Sequence, residues 1–128
     1  MKSRSGSSTA RRRQAERRGR LAELLCRSHL RLRGWRILAR DWRCPVGEID
    51  ILARRGGVLA VIEVKQRPDF ATAITAIMPR HRRRIAHAAE AFLAGRPDLA
   101  DLALRFDVML VEGWRLPRHL TDAWRNGD

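Results

Sequence analysis

Hydrophobic residues recur at helical spacing near the start of the chain, which predicts a first helix from about Arg12 to Arg33, with Gly34 as a natural stop. One apolar face of this helix carries Leu21, Leu24, Leu25, Ser28 and Leu32. A second, weaker stripe carries Ala22, Cys26 and Leu30, with Glu23 beside it. Both flanks of the helix are therefore expected to contact other parts of the protein.

Three segments of strand length follow in quick succession. They cover Trp35–Arg43, Glu48–Arg54 and Val58–Lys65, and Gly56-Gly57 is a strong hairpin signal between the last two. The third segment is apolar on both faces until its end, as expected of a buried central strand.

The second half of the chain predicts a helix from Pro79 to about Ala94 and a strand over Leu102–Val111. Trp114–Leu116 is a further short strand candidate, and an amphipathic segment from about Leu120 to Trp124 is expected to close the chain as a helix. The resulting order, α-β-β-β-α-β-(β)-α, predicts a mixed α/β or α+β sandwich with a central sheet.

A chain of 128 residues is long enough for one modest core. Its formal net charge is +13, and residues 1–20 hold eight basic groups against one acidic group. We expect a disordered basic tail over residues 1–12 and a single domain over 13–128. Such a charge favours nucleic acid as a partner, with an anionic membrane surface or a merely solvated basic protein as alternatives.

The two cysteines, Cys26 and Cys44, form no metal-binding pair and no disulfide framework, so a cytoplasmic location is the default. No apolar run reaches the roughly 18 residues of a membrane span, and no signal peptide is visible at the N-terminus. No membrane partner is expected.

The hairpin places four ionisable residues near one another. If Gly56 and Gly57 form the loop, Asp50 lies across from Glu63, and Glu48 lies across from Lys65. Alternation along each strand then brings all four side chains to one end of the sheet. Directly opposed carboxylates repel each other, so this arrangement needs a cation.

A divalent ion such as Mg²⁺, or Mn²⁺ in its place, would bridge Asp50 and Glu63, with Glu48 as a further ligand. Such an ion stabilises charge on a phosphate and lowers the pKa of bound water. Lys65 is one of only two lysines among 27 basic residues, which suggests that arginine does not serve there. Lysine suits a catalytic role because its pKa responds to desolvation, whereas arginine stays protonated.

Combined, these motifs resemble the YraN family of uncharacterised bacterial proteins, which is similar to archaeal Holliday-junction resolvases and to PD-(D/E)XK nucleases. The resemblance covers about residues 15–125. It is carried by Gly19 with Glu23, Gly47-Glu48-Ile49-Asp50, Glu63-Val64-Lys65 with Arg67, and Arg105-Phe106-Asp107-Val108.

The resemblance implies a restriction-endonuclease-like fold, with a mixed central β-sheet flanked by α-helices. By position, Asp50 and Glu63 would be metal ligands, Lys65 the catalytic lysine, and Glu23 an acid that approaches the metal from the first helix. Two positions depart from the family: His81 replaces a frequent lysine, and Asp41 replaces a common asparagine. Because resolvase-like nucleases often act as dimers, a homodimer is an open alternative.

The second helix begins with a basic cluster whose charges oppose the helix dipole. Phosphate contact would offset that cost, and a solvated face is the alternative. The expected nucleic-acid-binding residues are Arg67, Arg80, Arg82, Arg83 and Arg84. For Arg105 and Asp107, a position near substrate and a structural ion pair are both open.

The sequence therefore predicts a Mg²⁺-dependent nuclease that hydrolyses phosphodiester bonds in DNA, with branched or damaged DNA as candidate substrates. The alternative is a non-catalytic nucleic-acid-binding protein of the same fold, acting in a repair or RNA-processing complex.

Overall fold

The computed structural model describes residues 19–113 and 115–125. The expected basic tail, the start of the first predicted helix and Trp114 lie outside the described residues. Helix α1 covers residues 19–32 of the described chain. A turn follows it at Gly34, whose φ of 87° favours glycine. The remaining elements are β1 Arg36–Cys44, β2 Gly47–Arg55, β3 Val58–Lys65, α2 Phe70–Ala76, α3 Pro79–Ala94, a 3₁₀ turn Pro97–Leu99, β4 Ala103–Leu110 and β5 Arg118–Trp124.

The five strands form one mixed sheet in the order β1-β2-β3-β4-β5. Strands β3 and β4 are parallel, and the other three neighbouring pairs are antiparallel. Helices α2 and α3 lie within the β3–β4 connection, which has the length that a parallel crossover requires. The expected class, a mixed central sheet flanked by helices, is confirmed.

Each face of the sheet has its own hydrophobic core. On one face, Leu59 and Val61 of β3 pack with residues of α3, including Ile85 and Ala89. On the other face, the intervening Ala60 and Ile62 pack against α1. Strand β3 is thus buried on both sides, as its continuous apolar sequence predicts.

The β2–β3 hairpin has the expected register as far as its ladder extends, which is short of both Asp50–Glu63 and Glu48–Lys65. Arg55 pairs with Val58 across the Gly56-Gly57 turn, and the ladder continues regularly to Ile51 opposite Ile62. The next positions along the two strands are Asp50 and Glu63. The tight glycine turn therefore fixes which acidic residues meet at the far end of the hairpin.

The prediction for the C-terminal segment was wrong. Residues from Leu120 to Trp124 belong to strand β5, which pairs antiparallel with β4. Asp122 has a φ of 52° beside a register shift, and this bulge interrupts the alternation that identifies a strand from sequence. Arg115 and Leu116 are outside any strand, and α2 was not predicted.

Helix α1 also turns its weaker apolar stripe inward. Ala22, Cys26 and Leu30 are almost fully buried, whereas Leu32 is 88% exposed. The small side chains of Ala22 and Cys26 allow the helix to approach the sheet closely, which a row of leucines on that face would prevent. Within the described residues, no helix is long and apolar enough to cross a membrane.

Gly47 marks the closest approach between β2 and α3. A Cβ at this position would lie 2.5 Å from the backbone oxygen of Arg84. Because that neighbour is backbone, it cannot move aside cheaply. The glycine therefore sets the distance between the start of α3 and the strand that carries Asp50.

We predict that Gly47→Ala lowers the free energy of unfolding by about 1–3 kcal/mol, the usual cost of overpacking. Gly57→Ala is the matched control, because a Cβ there meets nothing within 4 Å. Urea denaturation of both variants measures the difference. Equal stability of the two variants would contradict the close approach.

Candidate active site

Asp50 lies at the end of the β2–β3 hairpin, where its side chain links the two strands. Its Oδ2 accepts a hydrogen bond from the backbone N–H of Val64 at 2.8 Å. Around this position the strand departs from strict alternation, since Ile49 and Leu52 pack on the α3 side while Ile51 packs on the α1 side. Asp50 can therefore reach groups on both layers.

Three acidic side chains meet on the α1 side of this position. Carboxylate oxygens of Glu23, Asp41 and Asp50 all lie within 4.8 Å of one another. Asp41 stands opposite Asp50, between the pairs Arg40–Ile51 and Trp42–Ile49. Its φ of 45° is in the left-handed region, which is uncommon for a residue with a side chain.

A fourth acid joins the group from β3. Glu63 follows Ile62 in the register that places it across from Asp50, and burial, together with the charge of Asp50, raises the pKa of Glu63. Oε1 of Glu63 lies 3.8 Å from Nζ of Lys65 and 3.9 Å from Nε2 of His81. Lys65 is therefore placed beside the acids, as the sequence predicted.

Burial disfavours the ionised form of these carboxyls. Desolvation, followed by the hydrogen bond to Asp41 and the charge of Asp50, raises the pKa of Glu23 to about 8. Burial, followed by the charge of Asp50, raises the pKa of Glu63 despite the opposing charge of Lys65. The pKa of Asp50 is raised as well, chiefly by burial. The site thus lacks sufficient positive charge of its own.

The donor set fits a hard divalent cation. Glu23, Asp41, Asp50 and Glu63 offer carboxylate oxygens only, which are the ligands that Mg²⁺ and Mn²⁺ prefer. A divalent cation would also neutralise the charge that raises the pKa of these groups. Asp50 contacts both Glu23 and Glu63, so it is the central candidate ligand.

Glu48, the other ligand expected from the sequence, lies apart from this cluster. Its side chain is 60% exposed and pairs with Arg43 at 3.2 Å. Its charge still raises the pKa of Glu63 slightly. Because the alternation of side chains along β2 breaks at Asp50, Glu48 and Asp50 do not project into the same surroundings.

The arginines at the start of α3 border the site through His81. Arg80, Arg83 and Arg84 are exposed there. Arg67 is exposed just beyond the end of β3, where it donates to the backbone oxygen of Gln66. These four side chains lie where a polyanion can reach them.

Arg82 differs from its neighbours in the cluster. Its guanidinium donates to the backbone oxygens of Ile77 at 2.9 Å and Ile74 at 3.4 Å, at the C-terminal end of α2. It also lies over the ring of Trp124, 5.9 Å from its centroid. These contacts connect α2, α3 and β5, so Arg82 has a structural role whether or not it binds an anion.

Arg105 and Asp107 form an ion pair on the α1 face of the sheet. Both oxygens of the fully buried Asp107 accept from Arg105 at 2.9 Å, and Oδ2 is 2.7 Å from Nε2 of His119. Burial alone would raise the pKa of Asp107, but hydrogen bonds from His119, Arg105 and the Asp122 N–H hold it below its ordinary value. Through His119 and the N–H of Asp122, Asp107 joins β4 to β5. Glu63 and Lys65 lie on the opposite face of the sheet.

Two residues at the site were not predicted from the sequence. His81 was noted only as a departure from the family, although its position two residues after Pro79 places it in the first turn of α3. Asp41 was noted only as a departure from the family. The hairpin signal could not identify Asp41, because its place beside Asp50 depends on a left-handed backbone conformation that the strand pattern does not show.

Comparison with known proteins places the chain among bacterial relatives of similar length. The model of the uncharacterised protein family UPF0102 matches residues 22–111, which include all four clustered acids and Lys65. A UPF0102 protein of Paramagnetospirillum magneticum is 50% identical over 115 residues, covering 87% of this chain and 89% of the relative. One from Parvibaculum lavamentivorans is 50% identical over 111 residues, covering 87% and 84%.

We predict that the metal-free protein loses stability as the pH rises from 7 to 8.5. In this range the folded state keeps protons on Glu23 and Glu63, whose pKa values are raised from 4.5, while the unfolded chain has released them. The folded state binds more protons, so the free energy of unfolding falls with pH. Thermal unfolding in EDTA measures the slope.

Glu23→Gln and Glu63→Gln should each flatten this slope, whereas Glu90→Gln, a change at an exposed position of α3, should leave it unaltered. Slopes that are the same in wild type and both site variants would show that these carboxyls do not titrate abnormally.

Proposed function

The chain belongs to the uncharacterised protein family UPF0102, and we propose that it is a metal-dependent nuclease that hydrolyses phosphodiester bonds in DNA. The observation that carries the proposal is the gathering of Glu23, Asp41 and Asp50 within 4.8 Å, with Glu63 across from Asp50 in the hairpin and Lys65 3.8 Å from Glu63. Branched or damaged DNA is the candidate substrate, and the cytoplasm is the proposed location.

The acids have a role as ligands of Mg²⁺ or Mn²⁺. Asp50 and Glu63 are the proposed principal ligands, with Glu23 and Asp41 approaching from the α1 side. The bound ion would supply a Lewis acid for the scissile phosphate and a bound water of lowered pKa. Carboxylates that repel one another in the free protein thereby become a binding site.

Lys65 has the position of a group that acts on the attacking water or on the phosphate. Its Nζ lies 3.8 Å from Glu63, and its side chain is only 18% exposed. From there it would hold the water against the phosphorus atom. With a cation bound to the acids, the Lys65 ammonium would first release its proton to solvent and then accept the proton of the water as the new P–O bond forms. The bond to the leaving sugar oxygen breaks, and that oxygen takes a proton from solvent.

The arginines beside the site have a role in holding the substrate. Arg67, Arg80, Arg83 and Arg84 are exposed close to His81 and the end of β3, and each can contact phosphate oxygens without reading base sequence. Arg82 is proposed as a weaker contributor, because its guanidinium already contacts backbone oxygens. The net charge of +13 favours a polyanion.

The second candidate function is a nucleic-acid-binding protein without catalysis, acting in a repair or RNA-processing complex. The exposed arginines favour it as much as they favour a nuclease. The buried acids and Lys65 favour the enzyme, because a protein that only binds nucleic acid gains nothing from repelling carboxylates near phosphate.

We predict that the wild-type protein binds Mn²⁺ and that Asp50→Ala weakens binding by at least the ~10–100-fold that even changes outside the ligand shell cost. Isothermal titration calorimetry measures the affinity. Glu112→Ala, an exposed acid away from the cluster, is the control and should bind as wild type. Equal and negligible binding by wild type and Asp50→Ala would abolish the metal site.

We also predict cleavage of at least one DNA in a panel of linear, nicked, flapped and four-way-junction substrates when Mn²⁺ is present. Lys65→Ala should slow cleavage by ~10²–10⁴-fold, the usual contribution of an acid–base group. Lys65→Arg should not restore the rate, since arginine keeps its proton.

Binding of these DNAs without any metal-dependent cleavage would favour the non-catalytic candidate instead. Full activity of Lys65→Arg would show that a positive charge at this position suffices, and that Lys65 does not accept a proton.

A further inference from the structure

The acid cluster has basic residues on its α1 side as well as on its α3 side. Arg31 of α1 and Arg40 of β1 are exposed, and Arg27 lies with them, only 7% exposed. The charges of Arg40 and Arg31 both lower the pKa of Arg27, after the larger effect of its burial. Arg27 and Arg31 are one helical turn apart on α1, and Arg40 faces the same layer, because its register partner Ile51 packs on the α1 side.

These arginines are also next to the proposed metal ligands. Arg27 interacts with Glu23 and Asp41, and Arg40 directly precedes Asp41 in β1. Among the described residues, none of Arg27, Arg31 and Arg40 has an acidic group within 4 Å of its guanidinium. A group of like charges without close counter-charges is unfavourable unless an anion occupies the surface.

The two basic surfaces lie on opposite layers of the protein. Helix α1 packs on one face of the sheet, and α3 packs on the other. The acids occupy the end of the sheet between these layers, with Glu23 reaching them from α1 and His81 reaching Glu63 from α3. A nucleic-acid strand that crosses the site from one layer to the other would meet arginines on both sides.

We infer that Arg31 and Arg40, with Arg27 behind them, form a second phosphate-binding surface that holds the nucleic-acid backbone on the side of the site opposite to α3. The inference rests on the proposed function and adds to it. Because the backbone is held on both sides of the acids, the scissile bond is internal to a strand, and the substrate is bound as a continuous chain rather than by its end.

The test measures binding separately from cleavage. Fluorescence anisotropy with a labelled duplex of about 20 base pairs, in EDTA and over a range of salt concentrations, gives both affinity and salt dependence. Each lost phosphate contact reduces the slope of log K against log salt by ~0.9. The Arg31→Ala/Arg40→Ala double variant is therefore expected to lose between about 1 and 2 from the slope and to bind roughly tenfold more weakly.

The matched control is Arg36→Ala/Arg54→Ala. These two exposed arginines are opposite each other in the β1–β2 register, at the end near the Gly56-Gly57 turn. The control therefore removes the same charge far from the acids. It is expected to change affinity less than about twofold. Arg31→Lys/Arg40→Lys should restore most of the slope, because phosphate contact needs the charge more than the guanidinium shape.

Several results would overturn the inference. Equal losses in the site and control variants would mean that net charge alone sets affinity. If Arg80→Ala/Arg83→Ala/Arg84→Ala weakened binding and Arg31→Ala/Arg40→Ala left it unchanged, the proposed function would stand and the second surface would be contradicted. If the wild-type protein did not bind the duplex, both the proposed function and the second surface would be contradicted. If the double variant lost binding to phosphatidylglycerol vesicles but not to DNA, the surface would be a membrane contact instead.

Discussion

Repulsion among buried carboxylates governs the chemistry of this protein. Asp50 and Glu63 are largely withdrawn from water and face each other across the hairpin, and Glu23 and Asp41 lie within 4.8 Å of Asp50. Ionising such groups away from water is costly unless cations compensate. Lys65 supplies one charge from within the site, which is too little for four acids. The raised pKa values of Glu23, Asp50 and Glu63 follow from burial together with this shortage of positive charge.

The fold holds the acids together in spite of that repulsion. Glu63 lies near the end of a strand whose central residues are buried, and Asp50 is fixed by the N–H of Val64. Gly47 lets α3 approach the same strand without a clash. Because each acid belongs to an element anchored by its own hydrophobic core, the free energy of packing opposes the electrostatic cost. Separating the acids would require a sheet edge or a helix to leave that core.

The sequence predicts the part of the site that depends on local geometry. The Gly56-Gly57 turn determines the register, and the register determines that Asp50 and Glu63 meet. The contribution of Asp41 could not be read in the same way, because it depends on a left-handed backbone conformation that breaks the strand pattern. The orientation of α1 was missed for another reason. Hydrophobicity favours the leucine stripe, but close packing against the sheet favours the smaller side chains of the opposite stripe.

Two buried acids in this structure illustrate how a structural carboxylate differs from a functional one. Asp107 accepts hydrogen bonds from Arg105, His119 and a backbone N–H, so its charge is compensated and its pKa is lowered despite complete burial. Glu63 has one lysine at 3.8 Å and one histidine at 3.9 Å, neither within hydrogen-bond distance, and its pKa is raised. The same sheet therefore satisfies one carboxylate fully and leaves another short of positive charge. A buried acid left in that condition is a candidate for binding a ligand that the protein itself does not supply.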